Sequence, residues 1–373
     1  MSSRVLLRAF APALGLVATW VLFAVLAGAS FTSWSNQQLM LLQTAVVGTA
    51  AVGATWIIVA GGIDLSVGST IALGTMVIAL LLRSGWGAWP ASLAGVASGA
   101  LVGALIGALV VGHLARVVPL VLAVVLGGWI SRSWSPMLGI AAGVVLAALG
   151  FLVRRKFARS IELSPFIVTL GLWGALRGLA KGLGDNQPIY ADTEGSMRAM
   201  ESLRGLMNVG GSGLFAVLPP GVWILVVAAV LASLAMRFTV FGRHVFAVGS
   251  NEETARLCGI DVERTKWLVY VIGVACAGVA SVLQLSYLSM GDPTTAQGYE
   301  LKVIAAVVIG GASLSGGQGS VAGTLVGALI MTVVDNGCTK LGLDNWVQEI
   351  VTGAIIVAAV ALDRWRQRES ERS

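Results

Sequence analysis

A chain of 373 residues that is 57% hydrophobic and only 11% charged, with a mean hydropathy of +0.87, has too little polar surface to fold as a water-soluble globule. Its formal net charge of +6 does not point to nucleic acid, because Lys and Arg fall in short clusters between apolar runs, as they do in the cytoplasmic loops of membrane proteins. The composition predicts an all-α polytopic membrane protein.

Apolar runs fall at about 8–28, 38–60, 66–82, 91–113, 117–131, 137–153, 165–182, 214–236, 267–289, 301–312, 320–334 and 346–362, which makes about twelve crossings in one transmembrane domain over 1–373. The first run follows Arg4 and Arg8 and ends at Ala27-Gly28-Ala29-Ser30, the outline of a signal peptide. Its length of about 20 residues is instead that of an uncleaved span. Several later runs are shorter than the roughly 17 residues that span alone, so they are expected to meet as half-helices buried against neighbours. Placing the N-terminus in the cytoplasm puts Arg116, the Arg154 to Arg159 cluster, the basic loop 237–266 and the tail 363–373 on the same side. The positive-inside bias therefore predicts cytoplasmic N- and C-termini.

The stretch Gly61-Gly62-Ile63-Asp64-Leu65-Ser66-Val67-Gly68-Ser69 lies between two such runs. An Asp at the centre of a lipid-facing helix costs roughly 2.5 to 3.5 kcal/mol, so an acid here faces protein, water or a substrate path. The glycines predict a helix that stops and restarts, with Asp64 or Ser66 capping the second piece. Asp64 can serve as a cap held by backbone N–H groups or as a substrate contact, and discontinuous helices mark the working parts of many transporters. Gln43, Thr169 and Gln284 on spans, and Asp335 and Asn336 near a helix end, can line a path or bond a neighbouring helix.

A second glycine block runs from Gly310 and Gly311 through Gly316 and Gly317 to Ser320, and it shares the string G-G-x-x-L-S-x-G with Gly61 to Gly68. The match suggests an internal repeat of a helix break. Leu314-Ser315-Gly316-Gly317-Gln318 also spells a motif of ABC ATPases, yet the chain has no G-x-x-x-x-G-K-[ST] phosphate loop, so close helix packing is the more economical reading.

Two loops are long enough to carry structure. The outer one, from Gly184 to Gly213, holds Asp185, Asn186, Gln187, Tyr190, Asp192 and Glu194, and reads as a solvated connector or a docking surface. In the inner loop, Ser250 with Glu253 fits a capping box and Gly259 supplies a stop, which predicts a short helix bearing Ala255, Arg256, Leu257 and Cys258. Cys258, Cys276 and Cys338 lack metal or redox spacing and read as small apolar residues. His113 and His244 have no partners at ligand spacing, so no metal is expected.

Taken in order, these stretches resemble the permease subunits of bacterial ABC importers for monosaccharides, the ribose and xylose permease family. The residues that carry the resemblance are Gly61 to Ser69; Pro165-Phe166-Ile167-Val168-Thr169-Leu170-Gly171 with Arg177-Gly178-Leu179 and Pro188-Ile189; Phe241-Gly242-Arg243 through Gly249 to Ile260; Val308 to Ser320; and Asp335-Asn336-Gly337. The resemblance implies ten family helices, with broken or short helices near 61–69 and 310–320. It makes the segment containing Arg243, Gly249, Ser250, Asn251, Glu252, Glu253, Ala255, Arg256, Leu257 and Gly259 the coupling helix received by a cytoplasmic ATPase. That partner would use ATP and Mg, while this chain binds no cofactor and catalyses nothing. It also implies a second permease copy in a homodimer and a periplasmic or extracellular sugar-binding protein, in the inner membrane of a bacterium. The chain departs from the family after Gly112-His113, where an inserted hairpin of two crossings at about 114–158 is expected. Residue chemistry alone leaves a second reading open, an ion-gradient-driven transporter using Asp64.

Overall fold

A computed structural model describes residues 3–113, 163–208 and 218–372, with scattered positions between 119 and 148. Helices follow one another as α1 Ser3–Ala27, α2 Ala29–Thr32, α3 Trp34–Val59, α4 Val67–Arg83, α5 Ala88–Val110, α6 Pro165–Leu183, α7 Glu194–Arg204, α8 Pro220–Phe238, α9 Val240–Ser250, α10 Glu252–Leu257, α11 Val262–Leu288, α12 Tyr299–Ile309, α13 Val321–Lys340 and α14 Asn345–Arg372. Among the described residues the only strand-like pairing is one isolated antiparallel bridge, Ile189 with Gly291. The expected hairpin at 114–158, with its Arg154 to Arg159 cluster, lies largely outside the described residues. The segment expected as a separate tail, 363–373, continues α14 as far as Arg372.

Six of these helices, α3, α5, α6, α8, α11 and α13, are long and apolar enough to cross a membrane. Shorter apolar stretches occur at Pro12–Ala27, in α4 and at Asn345–Ala358. Burial divides them. The most apolar window of α3 is 94% buried within the protein, against 22% for α6 and 33% for α8, which face outward. Helix α3 is apolar around its whole circumference, as a central helix must be, and it packs against α8, α11, α12 and α13.

Helix α11 is the second organising element, lying against α3, α4 and α5. Its crossing with α5 is built from small residues, which let backbones touch where lipid offers no hydrophobic drive. A Cβ on Gly99 would sit 2.7 Å from Val274 O and 2.8 Å from Gly278 Cα. Gly99→Leu is therefore expected to cost about 1 to 3 kcal/mol by overpacking and to lower the thermal unfolding midpoint of the detergent-solubilised protein. Gly174 on α6 has nothing within 4 Å of an added Cβ, and Gly174→Leu should leave that midpoint unchanged.

Both predicted breaks are present, between α3 and α4 and between α12 and α13. Each preceding helix ends in the same left-handed cap. Gly61 at φ 83° donates to Ile58 O while Gly62 donates to Ile57 O; Gly311 at φ 94° donates to Val308 O while Ala312 donates to Val307 O. This geometry pairs Gly61 with Gly311, one residue away from the register of the shared string, which set Gly61 against Gly310. The string tracked composition, whereas helix termination is fixed by which glycine takes positive φ. The returning helices also start differently. Ser320 Oγ accepts from Gly323 N at 3.1 Å, while Ser66 makes no such side-chain cap.

Candidate functional site

The two breaks and the inner loop meet at one point, built from backbone. Gly317 N donates to Val59 O at 2.9 Å, tying the second break to the end of α3. A Cβ on Gly249, at the end of α9, would run into Val59 O and lie 2.7 Å from Gly317 N; one on Gly316 would lie 2.6 Å from Gly249 O and 3.0 Å from Gly61 Cα. Gly249, Gly316 and Gly317 thus form, with Gly61, a junction in which a side chain at any of the first three would collide with its neighbours, while Gly61 is set by its φ of 83°. Beside it lies a cavity of about 240 Å³ lined by Gly61, Gly62, Ser250, Asn251, Glu252, Lys266 and Tyr270.

The inner loop holds two helices where sequence reasoning placed one. α9, Val240–Ser250, starts from Thr239, whose side chain accepts from Gly242 N. Arg243 lies on its exposed side. α10 is capped by Asn251, whose Oδ1 accepts from Thr254 N at 2.8 Å, so the expected capping box of Ser250 with Glu253 does not form. Ser250 is still inside α9, and its side chain packs against Gly317. The predicted stop does form: Gly259 at φ 82° donates to Arg256 O. Glu252 anchors α10 to α11 through Lys266 at 2.5 Å and pairs within the helix with Arg256 at 3.4 Å. Ala255 turns inward against Val248 and Val262, whereas Leu257 is 84% exposed with Glu253 and Arg256 also outward. Cys258, read from sequence as a small apolar residue, is free and exposed.

Asp64 closes a local turn. Its Oδ1 accepts from Ser66 N at 2.8 Å and Ser66 Oγ at 2.7 Å, so it holds Ser66, the residue preceding α4, and does not cap the helix interior. Thr169 on α6 reaches the same loop, its hydroxyl 3.3 Å from Ile63 O. Asp64 Oδ2 is buried with no partner among the described residues, as are Glu300 Oε2, Tyr270 OH, Thr70 Oγ1 and Arg177 Nη2. Glu300 Oε2 occupies the space a Cβ on Gly68 would need, at 2.5 Å. Arg177 is fixed by donating to Thr295 O at 2.6 Å and Pro293 O at 3.0 Å. Glu300 was missed from sequence; an acid beside the apolar run 301–312 was the available signal.

The remaining candidates gather elsewhere. Gln43, Gln284, Asp335 and Asn336 line one cavity of about 270 Å³, with Tyr287, Tyr299 and Lys302, none of which sequence reasoning had singled out. Asn336 is committed to a reciprocal pair with Asn36, at 2.8 and 3.0 Å. The outer loop forms α7, capped by Thr193 and Ser196, with Met200 and Leu203 buried.

Comparison with known proteins agrees with this architecture. The model of the family described as "Branched-chain amino acid transport system / permease component" matches residues 114–360. The chain belongs to this family of transport-system permease components, in company with the ribose and xylose permeases, and is a multi-pass membrane protein. It is 33% identical to the ribose import permease protein RbsC of Escherichia coli (strain K12) over 355 residues, covering 94% of this chain and 93% of that protein. It is 34% identical to the probable ABC transporter permease protein YphD of the same organism, covering 88% of this chain and 82% of that protein. With the xylose transport system permease protein XylH, also from that organism, identity is 32% over 98% of this chain and 93% of the relative.

Proposed function

We propose that the chain is the membrane-spanning subunit of an ATP-driven importer that carries a monosaccharide of the pentose class across the bacterial inner membrane. It works with a separate ATPase, which uses ATP and Mg, and with a substrate-binding protein on the outer side. Two copies pair around the pathway, and both termini lie in the cytoplasm. The names of the relatives support the sugar class, since the ribose and xylose permeases each align over more than nine-tenths of this chain. The junction of Gly249 with both helix breaks carries the mechanism. A partner that moves α10 also moves the end of α9, and through it the ends of α3 and the loop before α13, with no flexible linker between. Alternating access then follows as the two broken helices shift together. Asp64 and Ser66 keep the first break in shape, and Thr169 steadies it from α6. An ion-gradient mechanism would have no use for an exposed helix joined to the breaks in this way.

The exposed face of α10 is the part that meets the ATPase. Replacing Leu257 with Asp together with Glu253→Lys should weaken association of the purified permease with its ATPase by tenfold or more, on the order of the loss of one hot-spot contact. Unchanged association, measured by co-purification and titration, would remove the coupling role of α10.

A further inference from the structure

We infer that the cavity between α3, α11, α12 and α13 is a monosaccharide-binding site contained within a single permease subunit, with Gln43 and Tyr287 as its principal contacts. The inference rests on the proposed transport function and adds to it, because it gives the permease itself a part in choosing the sugar. The cavity, about 270 Å³, has room for several waters or one small ligand. Of its three charged groups, Lys302 and Asp335 satisfy each other, Lys302 Nζ lying 2.6 Å from Asp335 Oδ2 and 5.6 Å from the Tyr299 ring centre, while Lys340 is exposed to solvent.

The uncharged part of the lining is rich in hydrogen-bonding groups. The Gln43 amide has no hydrogen bond among the described residues, and Gln284 donates to Thr295 Oγ1 at 2.8 Å, which leaves its carbonyl oxygen free to accept. Tyr287 is 38% exposed and offers both a ring face and a phenol. A neutral polyol with an apolar ring face satisfies all three, while an acyl chain would strand them. A separate cleft, lined by Leu16, Val17, Trp20, Met40 and Leu329, is the apolar one. Gln43 lies sixteen residues before Val59 on one buried helix, about 24 Å at the helical rise. Occupancy of the cavity is therefore connected to the junction by a rigid element.

Such a site must release its ligand as readily as it takes it. Binding in about the millimolar range is expected, and saturation-transfer NMR detects it. Full-length permease in lipid nanodiscs, given an equimolar mixture of D-ribose, D-xylose and L-arabinose, should transfer magnetisation to pentose protons. Gln43→Leu and Tyr287→Ala should cut the transfer about tenfold, as the loss of one hydrogen bond or ring contact predicts. Tyr287→Phe, which keeps the ring, should retain most of it, and all variants are compared at amounts that still bind the ATPase. No transfer to the unaltered protein, or equal transfer in every variant, overturns the inference. ATP-driven pentose uptake by the unaltered importer, measured in parallel, separates this failure from failure of the proposed function: uptake that persists without a cavity effect sinks the cavity alone, and absence of uptake sinks the transport reading.

Discussion

Gly249→Val is expected to abolish ATP-driven uptake while leaving the protein inserted and able to hold its ATPase. A side chain at this position would collide with Val59 O and lie 2.7 Å from Gly317 N, so the hydrogen bond from Gly317 to Val59 could not survive. Both neighbours present backbone atoms, and backbone inside a packed helix bundle has little room to give. Overpacking of about 1 to 3 kcal/mol, added to a broken buried hydrogen bond, is enough to separate α9 from the breaks and slow uptake by about a hundredfold. The ATPase should continue to turn over without responding to the loaded binding protein. Gly259→Ala offers a comparison, because Gly259 has φ 82° but nothing within 4 Å of an added Cβ. That substitution should cost only about 1 to 2 kcal/mol of backbone strain and reduce uptake modestly. Equal effects of the two substitutions would show that strain in the loop, and not the junction, governs transport.

Asp64 provides the second large effect. Asp64→Ala removes the acceptor of both the Ser66 amide and the Ser66 hydroxyl at the point where α4 begins. Uptake should fall by more than about tenfold at normal expression, as expected from losing two buried hydrogen bonds. Asp64→Asn keeps an oxygen in the same place and removes the charge, and it should retain most of the activity. The contrast tests what the carboxylate is for. Uptake as low in Asp64→Asn as in Asp64→Ala would mean that the negative charge matters and that the turn is secondary. Normal uptake in Asp64→Ala would remove the residue from the mechanism.

Much of the fold was legible because membrane helices are written as long apolar runs, and the breaks because glycine pairs interrupt them. Asp64, Ser66 and Thr169 do meet at the first break, and Gln43, Gln284, Asp335 and Asn336 do share a cavity. Sequence could not show that these are two places, since three-dimensional proximity between α3, α11 and α13 leaves no local pattern. Helix α9 went unseen because the run from Val240 to Ser250 is short, mixed in character and lacks the periodic stripe of a long helix. The box of Ser250 with Glu253 was a plausible cap by spacing; Asn251 displaced it because Ser250 is still bound within α9. Glu300 and Lys302 were hidden for another reason. Each has its meaning through a partner more than thirty residues away, in Gly68 and Asp335 respectively.

We propose that an external motor drives this chain through the joint at Gly249. The most direct test is uptake of radiolabelled pentose into proteoliposomes containing the permease, its ATPase and the substrate-binding protein. Uptake should require ATP and all three components, persist after ionophores collapse every ion gradient, and disappear in Gly249→Val. Uptake by the permease alone, driven by an imposed proton or sodium gradient without ATP, would contradict it.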